Sequence, residues 1–171
     1  HVAVVARLLQ DPRVDPSDRD NRAVIYTSER GHVAVVARLL QDPRVDPSDQ
    51  DNLAIISSSA RGHIAVVERL QQDPRVDPSG QDNLAILSAS ARGHFAVVER
   101  LLQDHRVDPS VGNNFAIRTA SKWGHLNIVE LLLRDPRVDP SASNNEAMRC
   151  ANERGHLAVV QRLLQDPRVR L

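Results

Sequence analysis

The chain is short of aromatic residues, cysteine and long apolar runs. Phe, Trp and Tyr make up 2% of its 171 residues, so a hydrophobic core has to be assembled from Val, Leu, Ile and Ala. A single cysteine, Cys150, excludes an intrachain disulfide and with it the class of small disulfide-stabilised extracellular domains. No apolar run approaches the roughly 18 residues that indicate a membrane span. These absences predict a soluble, intracellular, cytoplasmic protein with an aliphatic core and no contact with a membrane.

The chain also has no excess of charge of either sign. Its 22 Lys and Arg residues balance 22 Asp and Glu residues, which gives a formal net charge of zero. Nucleic acids and anionic membranes both attract proteins through excess positive charge. The composition therefore argues against either as a partner, unless a local basic patch serves one.

What the sequence does contain is a segment that returns every 31 residues. The stretch "GHVAVVARLLQDPRVDPSDQDN", residues 31–52, recurs downstream with few changes. A fixed period between 20 and 50 residues is typical of a solenoid, in which each unit completes the core of its neighbour. The sequence predicts one array over residues 1–171, of about five and a half units that begin near residues 1, 31, 62, 93, 124 and 155.

Six histidines mark the period: His1, His32, His63, His94, His125 and His156. A glycine precedes each of the last five, where we expect it to end a helix in the left-handed conformation. Because His1 corresponds to His32, the chain is expected to begin inside a unit rather than with a signal peptide.

Each unit contains a helix that follows the repeated histidine, here called the His helix. Its apolar residues recur at helical spacing, as at Val33, Val36, Leu39 and Leu40. The Asp-Pro pair that follows ends this helix, because proline lacks an amide hydrogen and disfavours the helical conformation of the preceding residue. In the turn "PRVDPS" that comes next, we expect the repeated valine, Val45 in this unit, to be buried.

A second helix, here called the Asn helix, reads "NLAIISSSAR" in the same unit. Asn52 is expected to cap it by accepting hydrogen bonds from the amides of the first turn. Ser48 is an alternative start, since Ser48-x-x-Asp51 resembles a capping box. The start at Asp51-Asn52 is favoured because later units carry Gly80 and Gly112 in between, where a helix interior would be destabilised by about 1 kcal/mol relative to alanine.

The order of helix, turn, helix and loop, with the pattern "GHxxVVxxLLxDPRVDPS", resembles the ankyrin repeat over the whole chain. The resemblance implies an all-α solenoid of helix-turn-helix repeats. The family's "TPLHxA" stretch is replaced here by "RAVIYT", "LAIISS", "LAILSA", "FAIRTA" and "EAMRCA". Its buried apolar position survives as Val24, Ile55, Ile86, Ile117 and Met148. The period is two residues shorter than the family's 33, so the loops should project less than its usual hairpins.

The repeated histidines raise the question of a metal site, which their spacing argues against. Stacked helices lie about 8 to 10 Å apart, whereas zinc ligands each lie about 2 Å from the ion. We expect each histidine to hold the turn between its two helices by hydrogen bonds. Cys150 has no base or oxyanion site at a fixed place beside it, and no Gly-rich phosphate loop is present. The sequence therefore predicts no enzyme, no metal and no cofactor.

The "DPRVD" turns carry a column of arginines: Arg13, Arg44, Arg75, Arg106, Arg137 and Arg168. A basic stripe for an acidic ligand is one interpretation. The favoured interpretation is an alternating series of charges that ties neighbouring loops together, because each arginine has an aspartate on either side, as Arg44 has Asp42 and Asp46, except in the final unit, where Arg170 breaks the pattern. Exposed pairs of this kind stabilise a fold by only about 0 to 1 kcal/mol each.

The units differ most at the loop tip and at the two ends of the Asn helix. In ankyrin proteins the loop tip and the end of this helix line the concave surface that contacts partners. The resemblance implies that role for Arg19, Arg30, Gln50, Arg61, Gln81, Arg92, Lys122, Trp123 and Arg154. Drift after duplication would also vary exposed positions, and remains the alternative.

Trp123 stands where four other units carry arginine. The column is therefore expected to be exposed, with the tryptophan as an apolar contact on a polar surface. The alternative is that the ring covers Val107 or Phe115.

The favoured function is a scaffold that binds an unidentified protein through the concave face of the stack. A structural rod or self-assembling array is the alternative, in which the ends associate. It is motivated by an incomplete first unit and by an end, "DPRVRL", without a polar terminal repeat.

Overall fold

A computed structural model describes residues 2–169, so His1, the first histidine of the series, lies outside the described residues. Within that range the chain forms eleven helices and no strand, which confirms the all-α prediction. The His helices are α1 (Val2–Leu8), α3 (Val33–Leu39), α5 (Ile64–Gln71), α7 (Phe95–Leu101), α9 (Leu126–Leu132) and α11 (Leu157–Leu164). The Asn helices are α2 (Asp18–Glu29), α4 (Asp49–Ala60), α6 (Gly80–Arg92), α8 (Val111–Lys122) and α10 (Ala142–Glu153).

The helices stack in two rows, one of Asn helices and one of His helices. Each Asn helix packs on the Asn helices before and after it and on the His helix that follows it, and these contacts are more extensive than those between consecutive His helices. A helix of one to three turns cannot bury its apolar face alone, so neighbouring units complete each other's core.

Aliphatic side chains fill the core, as the composition predicts. The apolar position of the Asn helix is fully buried at Val24, Ile55, Ile86 and Ile117, whereas Met148 in the last Asn helix is only partly buried. The valine of the turn is equally buried at Val45, Val76, Val107 and Val138. The predicted apolar face of the His helix needs one correction: Val35, Val36 and Leu39 are buried, whereas Val33 is 36% exposed at the rim. Val33 occupies the first turn, where the helix begins at the edge of the stack.

A short left-handed turn precedes the right-handed part of every Asn helix. In α4 it consists of Gln50, Asp51 and Asn52, whose φ angles are 52°, 53° and 67°. The right-handed part therefore begins after Asn52, close to the favoured start. Ser48 makes no capping hydrogen bond, so the capping box is not formed. Asn and Asp adopt this conformation more readily than most other residues, which accounts for their repetition here.

The repeated asparagine joins two units rather than capping its own helix, which corrects the expectation for Asn52. Its side-chain oxygen accepts a hydrogen bond of 2.7 Å from the backbone N–H of Asp77, in the next unit. A capping residue needs an extended backbone, whereas Asn52 is left-handed. The same 2.7 Å bond joins Asn21 to Asp46, Asn83 to Asp108 and Asn114 to Asp139.

The arginine of each turn that follows a His helix binds an aspartate of its own turn, and from Arg44 onward it also binds across to the previous unit. Arg44 donates from Nε and Nη2 to the two carboxylate oxygens of Asp42, at 2.9 and 2.7 Å, and from Nη1 to the carbonyl of Val14 at 3.1 Å. The loops are therefore linked, but not by alternating charges as predicted: the ion pair with Asp42 lies within one turn, and the link to the previous turn is the hydrogen bond to the Val14 carbonyl. Asp46 instead accepts from the amide and hydroxyl of Ser48, at 2.9 and 2.7 Å.

No helix within residues 2–169 has both the length and the apolar character that crossing a membrane requires.

Candidate functional site

A glycine follows each Asn helix, either directly or after one intervening residue. The φ of this glycine lies between 74° and 80°. The residue immediately before the glycine is exposed in all five units: Arg30, Arg61, Arg92, Trp123 and Arg154. The expected exposure of this column is therefore confirmed. Its role in binding stays a prediction.

Trp123 presents a large apolar surface between two cations. Trp123 is 51% exposed to solvent. The guanidinium carbon of Arg154 lies 4.6 Å from the ring centroid, and Nζ of Lys122 lies 5.9 Å from it. Both distances allow cation–π attraction, which restricts the orientation of the ring. Val107 is fully buried within the stack and Phe115 is itself 41% exposed.

Four arginines at the helix ends and Lys122 form a line of cations, here called the basic row: Arg30, Arg61, Arg92, Lys122 and Arg154. Two of its members also contact the previous unit. Nη2 of Arg61 lies 2.8 Å from the carboxylate of Glu29, and Nη1 of Arg92 donates to the carbonyl of Ala60 at 3.2 Å. Among the described residues, Arg61 alone of the row pairs with a carboxylate.

The three loop-tip residues predicted to bind a partner, Arg19, Gln50 and Gln81, lie in the left-handed turns. Two of them bridge to the preceding turn. The side-chain nitrogen Nε2 of Gln50 lies 3.4 Å from the backbone carbonyl oxygen of Asp20. Nε2 of Gln81 lies 3.3 Å from the backbone carbonyl oxygen of Gln50. Arg19 is 3.8 Å from the carboxylate of Asp18, in its own turn. Gln50 and Gln81 therefore contribute to links along the tips as well as to the exposed surface, whereas Arg19 contributes to the exposed surface only.

Exposed carboxylates lie in or just before the first three left-handed turns and are here called the acidic tips: Asp18, Asp20, Asp51 and Asp82. The basic row lies at the other end of the Asn helices. A helix rises about 1.5 Å per residue, so the right-handed part of α4 separates the two sets by about 12 Å. This separation of charge follows only from placing the helices side by side.

A second exposed aromatic residue was not predicted from the sequence. Tyr26 is 49% exposed, and the guanidinium carbon of Arg30 lies 5.0 Å from its ring centroid. The position is occupied by Ser57, Ser88 and Thr119 in the following units. A lone tyrosine among small residues was the available signal, because its added bulk has to extend out of the stack.

Four of the repeated histidines, His63, His94, His125 and His156, bind a backbone carbonyl 34 residues earlier, at the end of the Asn helix that lies one before the adjacent one. Nε2 lies 3.0 Å from the carbonyl oxygen of Glu29 in His63 and 3.1 Å from that of Ala60 in His94. A carbonyl oxygen only accepts, so Nε2 carries the hydrogen. The prediction that each histidine holds its own inter-helix turn is therefore corrected for these side chains, because the acceptor lies at the end of a different Asn helix. No group of three His, Cys, Asp or Glu side chains in residues 2–169 is arranged to hold a metal ion.

A sequence model of a protein family, described as ankyrin repeats in three copies, matches residues 85–170 of the chain. No curated protein matches the chain in a sequence comparison.

Proposed function

Because the chain belongs to the ankyrin repeat family, we propose that it binds a protein partner through the surface that carries the basic row and Trp123. Ankyrin repeats generally mediate protein–protein interaction and are typically not enzymes. We accordingly propose an intracellular scaffold without catalytic activity. The loop-tip residues Arg19, Gln50 and Gln81 lie at the other border of this surface.

The exposed ring of Trp123 is the observation that supports this surface most strongly. Large aromatic residues dominate binding energy, because they bury much area while ordering few torsions. A ring that is 51% exposed in a soluble stack has unused apolar area. Cation contacts with Lys122 and Arg154 hold it in one orientation before a partner arrives, which lowers the entropy lost on binding.

Substitution Trp123→Arg tests the proposal, because arginine occupies the same position in four other units. A partner would first be captured from the native source and its affinity for the wild-type chain measured. We expect Trp123→Arg to weaken that affinity at least tenfold. The free energy of unfolding should change by no more than about 0.5 kcal/mol, as is usual for an exposed position.

Arg100→Ala on α7 is the matched control, since Arg100 contacts only the side chain of Gln103 among the hydrogen bonds of the described residues. It should leave the affinity within twofold of wild type. Equal effects of both substitutions, or a large loss of stability in Trp123→Arg with unchanged affinity, would show that Trp123 is structural.

End-to-end self-association is the second candidate, supported by apolar side chains on the first and last helices. Val4 of α1 is 61% exposed and Leu157 of α11 is 66% exposed. Sedimentation velocity over a range of concentrations tests this candidate. Growth of the sedimentation coefficient that Val4→Glu abolishes supports association, and a monomer at every concentration contradicts it.

A further inference from the structure

We propose that the partner segment bound at the basic row is acidic and extended, in the polyproline II conformation, with a carboxylate at every third residue. This inference rests on the proposed function, because it specifies the partner of the same surface. It follows from the charge of the row, from the spacing of the units and from the way two of the cations are held.

The charge of the row favours an acidic partner. Its five cations have two carboxylates beside them in sequence, Glu29 and Glu153, and only Glu29 forms an ion pair with the row among the described residues. The chain as a whole is neutral, so this concentration of positive charge is local. A partner with the opposite charge would be attracted here and repelled from the acidic tips at the other end of the helices.

The spacing of the row favours a particular backbone conformation. Neighbouring helices in a stack are about 8 to 10 Å apart, so successive cations recur at about that interval. Polyproline II has three residues per turn and rises about 3.1 Å per residue, so every third side chain faces the same way about 9 Å further on. In a β-strand, carboxylates at every third residue would alternate between two faces, and carboxylates at every second residue would share a face but recur only about 6.6 Å apart.

Arg154 shows how the row could bind a carboxylate and an apolar group together. Its guanidinium carbon lies over the Trp123 ring, 4.6 Å from the centroid. Stacking uses the face of the group and leaves its N–H edges directed sideways, where they can donate two parallel hydrogen bonds to a carboxylate. A segment that ends in an apolar residue would place that residue beside Trp123 and its last carboxylate on Arg154.

Synthetic peptides test the inference with the whole chain. The probe is a fluorescein-labelled peptide with three Glu-Pro-Ser triplets followed by Glu-Phe, and its dissociation constant is measured by fluorescence anisotropy. A second peptide has the same composition with its glutamates in one block. We expect the triplet peptide to bind at least tenfold more tightly than the block peptide, and to bind more weakly as salt is added.

Charge reversal identifies the surface. The double substitution Arg92→Glu and Arg154→Glu should weaken binding of the triplet peptide at least tenfold. The matched control reverses two arginines on the His helices, Arg69→Glu and Arg100→Glu, and should stay within twofold of wild type.

Three results would overturn the inference: equal affinity for the two peptides, equal effects of the two charge reversals, or tighter binding of a single-stranded RNA of the same charge. A failure here is distinct from a failure of the proposed function. If a captured partner is sensitive to Trp123→Arg but not to reversal of Arg92 and Arg154, the binding surface stands and the acidic partner is excluded.

Discussion

The imidazole ring of His94 packs against the backbone of Gly62, in the preceding unit. A Cβ atom added to Gly62 would lie 2.5 Å from Nδ1 of His94, and Nε2 of the same ring binds the carbonyl of Ala60. Gly62 also has a φ of 76°, a conformation that other residues rarely adopt. The glycine and the histidine of one "GH" pair therefore take part in contacts at two different junctions between units. The glycine of one unit packs against the histidine of the next unit.

Substitution Gly62→Ala should destabilise the stack for both reasons. The left-handed backbone alone costs a residue with a Cβ about 1 to 2 kcal/mol. Displacing the ring of His94 should add about 1 kcal/mol or more by weakening its hydrogen bond and packing. The free energy of unfolding, measured by urea titration with circular dichroism, should therefore fall by about 2 to 3 kcal/mol.

Gly155→Ala is the control for that measurement. Gly155 has a φ of 75°, but no described atom would lie within 4 Å of its added Cβ. It should show the backbone cost alone. Equal losses in the two variants would mean that the ring of His94 moves aside at no cost.

Asn83 is expected to stabilise the stack through both its backbone conformation and its side chain. It has a φ of 63° and accepts the amide hydrogen of Asp108 at 2.7 Å. Asn83→Ala should lower the free energy of unfolding by about 2 to 4 kcal/mol, because it strains the left-handed turn and leaves the amide unpaired. Asn83→Gly relieves the strain and should cost only about 1 to 2 kcal/mol. If the two variants were equally stable in urea titrations, the conformation would carry none of the effect.

Gln71 is a polar residue in a column of leucines, and its replacement should stabilise the protein. The other units carry Leu9, Leu40, Leu102, Leu133 and Leu164 at this position. Both side-chain polar atoms of Gln71 are buried without a hydrogen-bond partner among the described residues. Gln71→Leu should therefore raise the free energy of unfolding by about 1 to 2 kcal/mol. Gln72→Leu, at the exposed neighbouring position, is the control; a larger gain there than at Gln71 would contradict the assignment.

The aspartates of the "DPRVD" turns make stability depend on pH in the acid range only. The hydrogen bonds from Arg44 lower the pKa of Asp42 from 3.8 to about 2. The equivalent arginines likewise lower the pKa of Asp73, Asp104, Asp135 and Asp166. Below about pH 4 the unfolded chain takes up protons that the folded chain does not, so folding is disfavoured.

The free energy of unfolding should accordingly change little through these aspartates between pH 7 and 5, and fall as the pH drops from about 4 towards 2. Urea titrations at a series of pH values measure this dependence. Asp104→Asn removes one of the titrating carboxylates and should make the decline shallower. A decline of unchanged slope in that variant would show that these ion pairs do not cause it.

The helical solenoid could be predicted from the sequence because its evidence is local and repeated. The 31-residue period, the aliphatic spacing of the His helix and the Asp-Pro stop each depend on neighbouring residues. Burial of Val45, Val76, Val107 and Val138 could be predicted from the same pattern. A lone apolar residue in a polar turn is stabilised when its side chain leaves water and packs into the core. Exposure of Trp123 could be predicted because arginine and tryptophan cannot exchange in a packed core without a large cost.

The partners of the repeated polar residues were decided by the tertiary structure. Asn52, His63 and Arg44 each bind a group 25 to 34 residues away, outside their own unit. A sequence with a strict period offers the same candidate partner inside the unit and beside it, so pattern alone cannot distinguish them. Only the left-handed turn and the close approach of the helices bring these groups together. The same stacking places the basic row at one end of the Asn helices and the acidic tips at the other.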